Sequence, residues 1–205
     1  MNEAINEVAV EAASFAGKWR ERWPEWGIAR VFVPADQREL AEHWFALLQE
    51  WTDAATTAEP APGLAKLAWW QDELRGWNKG ARRHPLGAKL QKRPLDWTML
   101  AMALPALSRH ESGFDDAGLQ GLVRAVSDAE QALFDEARDG QLAIQSMLDA
   151  ALARPSGRHE PRDGTRPRRV LAALADARTA IGHGPVPPLR TVRCSWNAAR
   201  ARGPG

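Results

Sequence analysis

Apolar positions recur at helical spacing along most of the chain. Leu40, Trp44, Leu47, Leu48 and Trp51 fall at i, i+4, i+7, i+8 and i+11, one face of a helix. Asp36 and Glu39, just after Pro34, have the capping-box spacing for its start, and Pro60 and Pro62 mark its limit. Leu67, Trp70, Leu74 and Trp77 repeat in a 3-4-3 stripe, which predicts a helix over about 64–77 that Gly80 stops. Upstream, an Ala-rich segment predicts a helix over about 2–19. Downstream, 95–107 is apolar on more than one side and reads as a central helix despite Pro105. Leu119, Leu122, Val126, Ala129 and Leu133 mark another, read as continuing past Gly140 to Leu152. Two more are expected at 170–181 and 191–202. The single β-like run, 29–33, ends at Pro34. The fold class predicted is therefore all-α.

Composition adds an organisation to this pattern. The 205 residues carry 27 basic and 26 acidic side chains, but unevenly. Residues 1–153 hold 16 Lys and Arg against 23 acids, while 154–205 hold 11 Arg against 3 acids. We therefore expect a helical body over 1–153, a flexible Arg- and Pro-rich linker over 154–168, and a C-terminal helical segment over 169–205. The Arg-rich part is read as solvated, with docking on the body, on an acidic partner, on nucleic acid or on an anionic membrane as its other options. No run approaches the ~18 apolar residues of a membrane span. Glu3 and Glu7 argue against a secretory or basic transit signal, so a cytoplasmic protein is expected.

Candidate chemistry is sparse. The chain lacks a Gly-rich phosphate loop, a nucleophile elbow and a His-Glu-x-x-His pair. Its five His show no ligand spacing, and the lone Cys194 pairs with nothing inside the chain. Asp135 and Asp139 at i, i+4 would share a helix face and could hold Mg²⁺, or simply be solvated. Ten Trp and no Tyr is the most unusual feature. The adjacent Trp69 and Trp70 point about 100° apart on a helix, so an aromatic-lined channel or plain core packing could use them.

From about residue 30 to 90 the chain resembles the squalene/phytoene synthase family. The resemblance rests on Leu67-Ala68-Trp69-Trp70-Gln71-Asp72-Glu73-Leu74, then Gly80, then His84-Pro85-Leu86-Gly87-Ala88-Lys89-Leu90, with Pro34, Arg38 and Trp44–Leu48 upstream. It implies part of the all-α isoprenoid synthase fold. In the family, two Asp-rich motifs hold Mg²⁺ and prenyl diphosphates. The first falls here on 49–56, where Gln49 replaces the Arg, Thr52 and Thr56 replace the outer carboxylates, and Asp53 alone remains. Phe45 stands at the family's Tyr, and no second Asp-rich motif follows.

A Thr hydroxyl does not replace a carboxylate in holding Mg²⁺ against a diphosphate. The resemblance therefore implies a binding or assembly factor without prenyl-transfer activity and without a cofactor. Its candidate pocket is Arg38, Phe45, Gln49, Thr52, Asp53 and Thr56, with Trp69 and Trp70 as aromatic lining. Its partner would be a protein or an apolar isoprenoid-like ligand. The family includes non-enzymatic relatives associated with assembly of respiratory complex I. Two alternatives stand beside this reading: an active Mg²⁺-dependent prenyl transferase, and a helical anion- or nucleic-acid-binding protein working through residues 154–205.

Overall fold

Successive helices pack as neighbours in a computed structural model that describes residues 2–109, 113–155 and 163–201, with side chains from Val10 onward. Helix α1 (Asn2–Arg22) lies against α3 (Arg38–Ala55), and α3 against α4 (Pro60–Asn78). The one-turn helix α2 (Trp26–Ala29) packs on the last helix of the chain, and α5 (Gly87–Leu90) on α1 and α3. Helix α6 (Trp97–Ala103) joins α4 to α7 (Asp116–Phe134), and α8 (Gln141–Ala151), α9 (Arg166–Thr179) and α10 (Pro188–Arg200) follow in order. The chain is all-α, and no strand occurs among the described residues. No described helix is long and apolar enough to cross a membrane.

The predicted faces of α3 and α4 are the buried ones. Trp44, Leu47, Trp51, Leu67, Trp70, Leu74 and Trp77 are each at most 2% exposed. Gly63 lets the two helices approach closely: a Cβ there would lie 2.3 Å from the Ala54 carbonyl oxygen. Pro60 opens α4 at its first turn, where a missing N–H costs nothing, rather than closing α3.

Several boundaries differ from the pattern-based expectation. Residues 30–32 form a 3₁₀ turn instead of a strand, because no second strand is there to pair with them. The capping box does not form: the cap lies one residue later, at Gln37, and Glu39 pairs with Lys89 at 2.8 Å instead. Pro105 converts the end of the 95–107 segment into a 3₁₀ turn. The 119–152 segment is two helices, broken where Asp135 takes a left-handed conformation at φ 49°. Asp tolerates that region better than most residues.

The Arg-rich stretch is not a solvated tail over its described part. Within the expected linker, 156–162 lie outside the described residues, but Arg166–Arg168 already belong to α9. Val170, Leu171 and Leu174 join the same apolar core as α3 and α7. Arg168 and Arg169 are 3% and 2% exposed. They can be buried because the acidic body meets them, Glu130 taking Arg168 and Glu136 taking Arg169 at 2.7 Å. The charge asymmetry of the sequence is the signature of this docking.

Three of the ten Trp use their indole N–H on a buried glutamate. Trp26 donates to Glu42 at 3.1 Å, Trp44 to Glu130 at 2.8 Å, and Trp77 to Glu73 at 2.8 Å. Each of these glutamates also meets an Arg: Arg20 and Arg30 on Glu42, Arg168 on Glu130, Arg83 on Glu73. A buried carboxylate only accepts, so a donor-only side chain suits it, and Tyr would bring an acceptor needing its own partner.

Candidate functional site

Helices α3, α7, α8 and α9 leave an apolar cavity of about 250 Å³ between them. That is about eight water volumes at ~30 Å³ each. Its walls are Trp19, Trp23, Phe45 and Trp51 on one side and Leu122, Val126, Ile144, Leu148 and Leu171 on the other. Gln49, Thr52 and Arg168 supply the polar atoms. The mouth lies at small residues: Ala150 and Ala151 are exposed and Ala175 is half-buried. The helical period places Phe45, Gln49 and Thr52 on one face of α3.

The predicted pocket residues divide into two groups. Phe45, Gln49 and Thr52 line the cavity. Arg38, Asp53 and Thr56 do not. Arg38 donates to the carbonyls of Val33 and Val31 at 3.0 and 3.2 Å, closing the turn before α3. Asp53 is held by two 2.8 Å bonds from Arg22 and one of 2.8 Å from Gln49. Thr52 donates its hydroxyl back to the Leu48 and Gln49 carbonyls, and Thr56 to Thr52. Both Thr hydroxyls are spent on their own helix.

A Mg²⁺–diphosphate site does not fit these donors. Of the two carboxylates in 49–56, Asp53 is neutralised by Arg22 and Glu50 pairs with Lys66 at 2.8 Å, and among the described residues no carboxylate lines the cavity. Among the described residues, no three His, Cys, Asp or Glu side chains converge on one point. Asp135 and Asp139 do not share a helix face, since α7 ends at Phe134, before both, and α8 begins only at Gln141. Asp139 instead accepts from Ser127 and from the Gln141 N–H, both at 3.0 Å, holding the start of α8.

Trp69 and Trp70 are not cavity lining. Trp70 is fully buried and joins Trp51 and Trp77 in an edge-to-face chain, with ring separations of 6.5 and 6.4 Å. Trp69 is half-buried under Arg83. The two indoles instead flank His84, whose ring is 4.5 Å from Trp70, 5.9 Å from Trp69 and 4.6 Å from Phe15. This is the physical content of the paired Trp and the His-Pro in the sequence. The imidazole accepts from the Leu86 N–H at 3.2 Å. Burial lowers its pKa from 6.5 to about 4, against the pull of Glu50 and Glu73 and with Lys66 adding to the fall.

His84 therefore stays neutral and makes stability pH-dependent. Its folded pKa lies below its unfolded one, so between pH 6.5 and 4 the unfolded chain binds the extra proton. Its contribution is complete above pH 6.5 and is lost as pH falls toward 4, with a slope of at most about 1.4 kcal/mol per pH unit. Urea unfolding of wild type and His84→Phe across that window measures this. The variant is expected to show a flatter dependence on pH.

Pattern reading missed the central polar pair. Arg168, 3% exposed, lines the cavity with its guanidinium 4.9 Å from the Phe45 ring, and Glu130, 1% exposed, holds it from behind. The signal was present as a Glu inside the apolar stripe of α7, four residues after Val126 and three before Leu133. Glu73 shows the same signature between Trp70 and Trp77. Compared with protein-family models, with curated proteins and with solved structures, the chain has no match in any of the three.

Proposed function

We infer that this protein binds an apolar, isoprenoid-like ligand in the α3–α7–α8–α9 cavity and works as a binding or assembly factor, without transferring prenyl groups. One observation carries the reading: the cavity is walled by Trp, Phe and aliphatic side chains, and the helix that would carry metal-binding carboxylates presents Gln49 and Thr52 to it. Apolar lining with a few oriented polar groups favours a hydrophobic ligand. The buried indole N–H of Trp51, which has no partner among the described residues, leaves a donor beside the cavity for a hydroxyl or carbonyl on that ligand. The squalene/phytoene synthase resemblance supplies the ligand class.

Farnesol and farnesyl diphosphate separate the readings. Farnesol is expected to raise the melting temperature and quench Trp emission. Ala151→Trp, placed at the exposed mouth, should abolish both effects while leaving the unliganded protein equally stable. With farnesyl diphosphate and Mg²⁺ no diphosphate release is expected. Release that disappears in Asp53→Ala would overturn the reading in favour of a prenyl transferase.

A further inference from the structure

Helix α10 buries its small residues and shows its large ones. Thr191, Ser195 and Ala198 pack inward, toward α9, whereas Leu189, Val192 and Trp196 are 87%, 42% and 48% exposed. A helix that serves only to cover a core turns its large apolar side chains inward. The three outward residues fall at i, i+3 and i+7, so they form one stripe. Trp196 is held in place by Phe32, 5.9 Å between ring centres, and by the Arg200 guanidinium 4.9 Å from its ring. Val31, next to Phe32, is 57% exposed.

Charge on the same helix is of one sign. Arg190, Arg193 and Arg200 are exposed and lie beside the stripe, and α10 contains no acidic residue. Arg190 and Arg193 form no ion pair among the described residues. They also line a groove of about 780 Å³ between α9 and α10, where Asp176 is the single acid of the lining.

We propose that this face is a docking surface for an anionic membrane: Leu189, Val192 and Trp196 insert at the headgroup–acyl boundary while Arg190 and Arg193 take lipid phosphates. An apolar stripe of Leu, Val and Trp flanked only by Arg is the composition of an interfacial helix. Trp suits that depth because its ring is apolar and its N–H wet. Arg near an anionic surface adds attraction that salt screens. An acidic protein partner would use the Arg residues but has less need of a stripe exposed as far as Leu189.

The experiment is co-sedimentation of the full chain with phosphatidylcholine vesicles, with and without phosphatidylglycerol, at low and high salt. Binding is expected to the anionic vesicles, at least tenfold weaker to the neutral ones, and weakened by salt. Leu189→Ser with Trp196→Ser, and separately Arg190→Gln with Arg193→Gln, should each cost tenfold or more at an unchanged melting temperature. As a second readout, brominated lipid should quench Trp emission of wild type more than of Trp196→Phe. The proposal is overturned if neither double variant loses binding, if neutral vesicles bind equally, or if poly-glutamate binds and vesicles do not. None of these outcomes depends on the cavity, so farnesol binding can fail while this surface holds.

Discussion

Glu130→Ala is expected to destabilise the protein by about 3–5 kcal/mol, because it strands a buried guanidinium. In a chain of this length that corresponds to a fall in melting temperature of roughly 6–20 °C. Glu130 accepts from the Trp44 indole at 2.8 Å and from Arg168 through Nε, at 3.1 Å to both oxygens, and through Nη2. Arg168 also meets the Met147 sulfur at 3.3 Å and the Phe45 ring. Neither neutralises a charge.

The comparison that isolates this cause is a double-mutant cycle. Arg168→Met alone leaves a buried carboxylate and should cost a similar amount. Glu130→Leu with Arg168→Met should cost less than either single change, since a buried pair replaced by apolar groups of similar size is often neutral. Additive losses measured by urea unfolding would show that the two side chains are not coupled. Because Arg168 is the residue that ties α9 under the cavity, either single change should also weaken farnesol binding.

The same pair shows where sequence reading stops. The stripes of α3 and α4 are legible because burial on one side of a helix imposes a 3.6-residue period on neighbours along the chain. The docking of Arg168 is not legible, because its partner lies 38 residues away, and Trp44 reaches the same carboxylate across 86. Periodicity carries no information about such distances. What it does carry is the exception: a Glu inside an apolar stripe must find donors or be expelled. Glu73 and Glu130 both broke their stripes. Within the candidate pocket, Phe45, Gln49 and Thr52 share the inward face of α3 and line the cavity. Arg38, Asp53 and Thr56 do not, since spacing along the chain carries no trace of the outside partner, Arg22, that draws Asp53 away.

Glu73→Ala is the second large effect, expected at about 3–5 kcal/mol from stranded donors rather than a stranded charge. Glu73 is 1% exposed. One of its oxygens accepts from the Trp77 indole at 2.8 Å and from the backbone N–H groups of Arg83 and His84 at 2.6 and 2.8 Å. The other takes Arg83 Nε at 2.9 Å, but that side chain is 58% exposed and contributes little. Burial opposes ionisation here, yet these donors hold the carboxyl below its usual value. Its contribution is therefore present above pH 4.5 and is lost as pH falls below that, a window under the one set by His84. Each abandoned donor costs about 1–3 kcal/mol. Ala and Gln are both good helix formers, so α4 itself is not weakened by either change. Glu73→Gln keeps an acceptor for the Trp77 and backbone N–H groups and should lose about half as much. Glu73→Ala releases the 79–86 connection that presses His84 between Trp69 and Trp70. Hydrogen exchange at the Arg83 and His84 amides should accelerate in Glu73→Ala beyond what its global destabilisation explains. Equal losses in the Ala and Gln variants would mean that the charge, not the donor set, is what the buried site requires.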